Sequence, residues 1–212
     1  MIQVRIPSIG GVILAGGKSS RMGQPKELLP WKEGTLIAHL HKELTGAGLP
    51  CLIVSHAPET IERMGGMQAD AAVDVVRDQV PSCGPISGIV TAFRLRSEEV
   101  LLVLSCDLPF VEQKHLKKLI DYAAQQSDWD AVVVKTGDRV HPLLALYHRR
   151  SQPYWEEALS AGQYRLMEVL QKLRIVWTPP DLLDAWAAYN ANTPEEYRCA
   201  LEEKKKRESA SL

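Results

Sequence analysis

A short apolar run held between glycines, Gly11-Val12-Ile13-Leu14-Ala15-Gly16-Gly17, dictates the start of the fold. Four apolar residues without polar alternation read as a strand buried on both faces, the habit of parallel sheets covered by helices. What leaves this strand is chemically distinctive: two glycines, the hydroxyls of Ser19 and Ser20, then Arg21 and Lys26. Glycine reaches φ > 0 and has no Cβ to hold a ligand off the main chain, so successive amides can close around an anion. Two mobile cations beside such a concavity suit a polyphosphate; one charge pair about 4 Å apart is worth about 4 kcal/mol at an effective dielectric near 20. The spacing excludes a Walker A loop, because Gly16-Gly17-Lys18-Ser19-Ser20 lacks the four-residue gap before Gly-Lys-Ser/Thr. No G-x-G-x-x-G follows the strand, which excludes the dinucleotide fingerprint. A glycine-rich turn flanked by solvated cations is the alternative for the glycines alone, and Arg21 with Lys26 weighs against it.

The remainder of the chain alternates in the same manner. Residues 35–48 place Leu36, Ile37, Leu40, Leu44 and Ala47 at helical spacing, closed by glycines. Residues 50–55 and 72–77 read as strands, with a short helix from Pro58 to about residue 67 between them. A helix over residues 84–97 tolerates Pro85 in its first turn. Residues 100–105 form the most apolar strand, followed by a helix over 111–126 with Leu116, Leu119, Ile120 and Ala123 on one face. Residues 131–134 and 142–147 then flank Thr136-Gly137-Asp138, too tight for a helical crossover, which predicts an antiparallel pair. Helices over 152–161 and 164–172, a strand over 174–178 and a terminal helix capped by Thr193, with Pro194 at its first position, complete the pattern. The fold class is α/β, with a mostly parallel sheet covered on both faces and an antiparallel portion in the second half.

At 212 residues, 45% of them hydrophobic, the chain buries an adequate core as one domain without staples. A formal net charge of −1 gives no reason to expect nucleic acid or an anionic membrane as partner. No apolar run approaches the ~20 residues of a spanning helix, and residues 1–10 lack a signal-peptide pattern. Cys51, Cys83, Cys106 and Cys199 form no C-x-x-C pair, which argues against zinc and against a secreted disulfide framework. Cys51 and Cys106 read as buried thiols, and the chain as cytoplasmic. The charge run from Glu202 to Arg207, within a C-terminal tail over 199–212, is expected to fray into solvent.

Ligands of open α/β sheets bind beyond the carboxyl ends of the strands. That rule gathers four loops: Gly16-Gly17, Ser55-His56, Arg77-Asp78 and Cys106-Asp107. Asp107 is the sharpest candidate, a carboxylate well placed to hold a Mg²⁺ that takes its other oxygens from phosphate and water. The alternative is that Asp107 caps the helix at Val111. Asp78 has a competing role as the ion-pair partner of Arg77.

The pattern Leu14-Ala15-Gly16-Gly17-x-Ser19-x-Arg21-Met22-Gly23-x-x-Lys26 resembles the nucleotide-binding loop of the NTP-transferase family, and within it the molybdenum cofactor guanylyltransferases. Four further segments are similar to that family's motifs. They are Gly84-Pro85-Ile86-Ser87-Gly88 (G-P-L-A-G), Cys106-Asp107-Leu108-Pro109-Phe110 (C-D-x-P-[FY]), His141-Pro142-Leu143-Leu144-Ala145-Leu146 (H-P-x-x-A-L) and Asn190-Ala191-Asn192-Thr193-Pro194-Glu195-Glu196 (N-x-N-T-P-E-[ED]). The resemblance implies a three-layer α/β/α sandwich, nucleotide-diphospho-sugar-transferase-like. The nucleotide-binding half would span about 9–128 and the pterin half about 129–198. The implied reaction is transfer of GMP from GTP to molybdenum-molybdopterin with Mg²⁺ as cofactor. Implied partners also include proteins that handle molybdopterin or accept the finished cofactor.

Carried over by position, Leu14, Ala15 and Gly16 resemble the guanine-nucleotide-binding backbone segment, with Lys26 as the phosphate-contacting lysine; Gly17 and Arg21, a second cation for the triphosphate, join them on the chemistry of the loop itself. Asp78 matches a nucleotide-contacting aspartate, and Asp107 the residue that binds both Mg²⁺ and GTP. Ser55 stands where many relatives have asparagine; its hydroxyl is shorter and lacks paired donor and acceptor groups. His141, Arg165, Asn190 and Asn192 are the pterin-lining candidates, with His141 equally readable as a satisfied sheet-end histidine. Trp155, Trp177 and Trp186 read as core and edge packing rather than as a stacking platform. Three alternatives stay open. A cytidylyltransferase of the same pterin usually reads L-A-A-G, where this chain has Leu14-Ala15-Gly16-Gly17. A sugar-phosphate nucleotidyltransferase is favoured slightly by Pro25-Lys26. A non-catalytic cofactor carrier has no need of both Lys26 and Asp107.

Overall fold

The apolar runs of the sequence lie side by side in the computed structural model, which describes residues 7–16, 25–64, 73–80 and 84–210. The first half runs β1 (Ile9–Ala15), β2 (Pro30–Trp31), β3 (Gly34–Thr35), α1 (Leu36–Gly46), β4 (Cys51–Ser55), α2 (Pro58–Met64), β5 (Asp74–Arg77), α3 (Gly84–Leu95), β6 (Val100–Ser105) and α4 (Gln113–Ala124). The second half continues with β7 (Ala131–Thr136), β8 (Arg139–His148), α5 (Gln152–Ser160), α6 (Leu166–Leu170), β9 (Ile175–Trp177) and α7 (Pro194–Ala210).

Among the described residues, seven strands form one sheet in the order β5-β4-β1-β6-β8-β7-β9. Pairing is parallel except at β6–β8 and β8–β7, so β8 alone runs against the rest. The expected antiparallel pair is therefore β7 with β8, joined through Gly137 at φ 56°.

Alternation along each strand builds the three layers. Ile13, Ile53, Leu102, Leu104, Val132 and Leu146 pack beneath Ile37, Leu40, Leu44, Leu116 and Leu119 of α1 and α4. Val12, Leu52, Val54, Leu101, Val103 and Tyr147 face the other way, onto Ile86, Ile89, Phe93, Trp155 and Leu170 of α3, α5 and α6. Fully burying such a side chain contributes about 1.5–3 kcal/mol. Gly88 is where α3 crosses β1: a Cβ there would meet Leu14 Cδ2 at 2.9 Å.

Two elements differ from the sequence expectation. The β2–β3 hairpin, turning at Lys32 with φ 51°, was not foreseen, since two-residue strands carry no periodic signal. The charged run at the C-terminus does not fray; residues 199–210 continue α7. Lys204 Nζ lies 5.7 Å from the Trp31 ring centroid, and the Arg207 guanidinium 5.2 Å from Phe110 and 5.9 Å from Trp186. Arg207 also donates to Asp184 and Glu203, at 2.8 Å each. Cation–π contacts and ion pairs dock this helix where composition alone reads as a solvated face. The tryptophans behave as expected: Trp155 is wholly buried against Tyr147, Trp177 is exposed on edge strand β9, and Trp186 packs on Phe110.

Candidate active site

The order of the sheet reverses between β1, whose next partner lies toward β4, and β6, whose next partner lies toward β8. A crevice at the carboxyl ends of two such strands is where α/β sheets bind ligands. Leu14 stands opposite Ser105 in register, and Cys106 N–H donates to the Leu14 carbonyl at 3.2 Å, so the loops leaving β1 and β6 start side by side.

Lys26 opens a single 3₁₀ turn, Lys26–Leu28, on the far side of the first loop. Its Nζ donates to Asn192 Oδ1 at 2.7 Å and lies 3.8 Å from Asp107 Oδ2. Asp107 Oδ1 accepts from Asn190 Nδ2 at 2.9 Å, and the Asp107 carbonyl accepts from Ala191 N–H at 2.9 Å. Asn190 Oδ1 in turn accepts from Arg139 Nη2 at 3.3 Å. Lys26, Asp107, Asn190 and Asn192, scattered in the sequence, thus meet in one cluster. Arg139 is a member that sequence reasoning missed; its only signal is a basic residue opening the strand that carries His141.

The cluster is braced from outside. Glu196 accepts from the N–H groups of Asn192 and Thr193, at 2.8 and 3.0 Å, while Thr193 Oγ1 accepts from Glu196 N–H at 3.2 Å. This reciprocal box caps α7, as the sequence foresaw for Thr193, and also fixes the asparagine that holds Lys26. Asp107 does not cap the next helix: α4 starts at Gln113 behind Glu112, whose N–H donates to His115 Nδ1 at 3.2 Å. The neighbouring Cys106 thiol is buried; burial first, then the Asp107 charge, raises its pKa well above the usual range, so it is an inert core thiol.

At the β4–β5 end, the side chains turn inward. Ser55 Oγ accepts from Ala57 N–H at 3.0 Å, closing the turn into α2. Asp78 is buried, with Oδ2 accepting from Ser87 Oγ at 2.6 Å and Oδ1 from Val80 N–H at 3.2 Å and Thr91 Oγ1 at 3.3 Å. Arg77 is not its ion-pair partner: Arg77 donates to the Glu59 carboxylate and, at 2.7 Å, to the His56 carbonyl. Removing the Ser87 hydroxyl strips a buried carboxylate of its shortest hydrogen bond. Ser87→Ala is therefore expected to cost about 1–3 kcal/mol in urea unfolding, against near-neutral behaviour for an exposed serine such as Ser97.

His141 is buried, its Nε2 2.7 Å from Thr136 Oγ1. Burial first, then the Arg139 charge, holds its pKa down at about 4, so the ring is neutral at pH 7. Arg165 stands apart: it is exposed and pairs with Glu168 at 3.3 Å, and among the described residues no hydrogen bond links it to the Asp107 cluster. Leu14 and Ala15 end β1 with Gly16 beyond them; Gly17 and Arg21 lie outside the described residues.

A divalent cation fits what is present. Among the described residues no group of three or more His, Cys, Asp or Glu side chains gathers as a closed metal cage. Mg²⁺ does not need one, since it commonly takes one or two protein carboxylates and completes its shell with phosphate and water. Asp107 offers that single carboxylate, one oxygen pinned by Asn190 and the other facing a cation.

Known proteins are similar to this chain in sequence and fold. The family model described as MobA-like NTP transferase domain matches residues 11–176. A Bacillus subtilis protein named "Probable molybdenum cofactor guanylyltransferase" is 34% identical over 200 residues, covering 91% of this chain and 94% of that protein. A Bacillus mycoides protein of the same name is 30% identical over 193 residues, covering 88% and 92%. The crystal structure of molybdopterin-guanine dinucleotide biosynthesis protein A from Archaeoglobus fulgidus superposes with a TM-score of 0.78 at 24% identity, covering 93% of this chain and 99% of that one, and shares its fold. With the family model spanning most of the chain and relatives at 30% identity or more along nearly its whole length, this protein belongs to the MobA-like NTP transferase family and is a nucleotidyltransferase.

Proposed function

We propose that the enzyme transfers GMP from GTP to molybdenum-molybdopterin, giving the guanine dinucleotide cofactor and pyrophosphate. The observation that carries this reading is the meeting of Lys26 with Asp107, 3.8 Å apart, beside the carboxyl end of β1. The guanylyltransferase names of its relatives and the Leu14-Ala15-Gly16-Gly17 form of the loop support guanine as the base.

In this reaction an oxygen of the molybdopterin phosphate bonds to the α-phosphorus of GTP as the bond from that phosphorus to the β-phosphate oxygen breaks. The attacking phosphate is ionised at neutral pH, so no general base is required. The chain's tasks are alignment and charge compensation. Lys26, fixed by Asn192, offers its ammonium to the triphosphate, with Arg21 as a second cation and the Gly16 main chain approaching closely. Asp107 would hold Mg²⁺, which when bound neutralises charge on the phosphate oxygens. Asn190, Asn192, Arg139 and His141, toward β8, would line the second substrate. Among the described residues no helix is long and apolar enough to cross a membrane. The reading is of a cytoplasmic enzyme that hands its product to molybdenum enzymes.

Pyrophosphate release from GTP, CTP and ATP, each with and without molybdenum-molybdopterin and Mg²⁺, tests the proposal. Release that requires GTP and the pterin together is expected. Preference for CTP would make the enzyme a cytidylyltransferase, and GTP binding without any release would make it a carrier.

A further inference from the structure

One polar side chain at the rim of the crevice has no part in this scheme: His56, in the loop after β4. Its ring covers the main chain leaving β1; a Cβ on Gly16 would meet His56 Cδ2 at 2.8 Å and Nε2 at 3.3 Å. On its other side, Nδ1 lies 3.9 Å from Asp78 Oδ2. Its backbone is fixed by the Arg77 guanidinium on the His56 carbonyl. The two neighbours that sequence reasoning favoured, Ser55 and Asp78, have their oxygens committed to Ala57, Val80, Ser87 and Thr91. His56 by contrast keeps 38% of its side chain exposed.

Direction follows from the sheet order. Lys26 and Asp107 mark the phosphates over β1 and β6, and the basic and amide groups of Arg139 and Asn190 occupy the β8 side. A nucleoside attached to those phosphates therefore extends over β1 toward β4, where His56 stands. We infer that His56 is a nucleoside-contacting specificity residue and that Asp78 is a positioning residue acting through it, an inference that rests on the nucleoside triphosphate reading above. A carboxylate on the Nδ1 side favours the tautomer with its proton there, which leaves Nε2 as an acceptor. It takes a hydrogen-bond donor of the nucleoside, either the exocyclic amine of the base or the ribose 2′-hydroxyl.

The test is steady-state kinetics of the full chain with GTP, ITP and 2′-deoxy-GTP at saturating molybdenum-molybdopterin. His56→Ala is expected to raise KM for GTP about tenfold, the loss of one hydrogen bond, with kcat within about twofold and an unchanged melting temperature. His56→Gln, whose amide oxygen accepts at similar reach, is expected to recover most of the loss. If the base amine is the donor, wild type already shows the raised KM on ITP and His56→Ala adds nothing there; if the 2′-hydroxyl is, 2′-deoxy-GTP behaves so. Asp78→Asn is expected to raise KM in the wild-type background but not on top of His56→Ala. An unchanged GTP KM in His56→Ala, or equal losses on all three nucleotides, overturns the inference and leaves the guanylyltransferase reading standing. A wild-type enzyme inactive with GTP overturns that reading itself, and this inference with it.

Discussion

Replacing Asp107 with alanine is expected to lower pyrophosphate release at saturating GTP by about 10³-fold while the protein stays folded. Two losses combine. The chain gives up the carboxylate beside Lys26, and with it the group that would hold the divalent cation against the phosphates. It also frees Asn190 Nδ2, which donates to Oδ1 at 2.9 Å, so Arg139 loses its link to the centre. The fold survives because the loop is held by its backbone: the Asp107 carbonyl still accepts from Ala191 N–H, and β6 is buried from Val100 to Leu104. Asp107→Asn separates the two losses, since an amide oxygen still accepts from Asn190 but carries no charge. If charge and cation holding dominate, the asparagine variant is almost as inactive as the alanine one. Turnover within tenfold of wild type in Asp107→Ala, with an unchanged thermal melt, would remove this residue from the mechanism.

Much of this candidate site is legible in the sequence alone, for a physical reason. Strands buried on both faces leave long apolar runs, and a loop that must approach phosphates leaves glycines, so β1, β6 and the residues at their ends announce themselves. What stayed hidden depends on tertiary placement. Arg77 and Asp78 are adjacent in sequence and read naturally as a pair, yet successive side chains of an extended segment point to opposite faces. Arg77 goes out to Glu59 while Asp78 goes under α3 to Ser87. Arg139 looks like an ordinary turn residue until β8 folds back beside β6 and brings it to Asn190. The docking of α7 was unreadable because its aromatic partners, Trp31, Phe110 and Trp186, come from three distant segments. No periodicity within Glu202 to Arg207 encodes that contact.

At the opposite end of the sheet, Asp130→Ala is expected to lower unfolding stability by about 2–3 kcal/mol at pH 7 while leaving kcat near wild type. Asp130 precedes β7 and is buried, with Oδ1 accepting from Arg150 Nε at 2.7 Å and Arg174 Nη2 at 3.0 Å. Oδ2 accepts from Arg174 N–H at 2.9 Å and Arg174 Nε at 3.1 Å. Since Arg150 follows β8 and Arg174 precedes β9, one carboxylate ties together the ends of three strands. Breaking a fully buried pair costs about 3–5 kcal/mol, and the figure here is smaller because both guanidinium groups are open to solvent. Burial alone would raise the Asp130 pKa; the hydrogen bonds and charges of Arg174 and Arg150 outweigh it and hold the group at about 2, below the ordinary 3.8. A depressed folded-state pKa contributes stability that is complete above the unfolded value and fades as the proton goes on. The gap between wild type and Asp130→Ala in urea midpoints should therefore be full at pH 6–7, begin to close near pH 4 and be largely gone by about pH 2. A gap that holds constant through that window would mean that Asp130 acts by shape alone, and that its two arginines contribute nothing as charges.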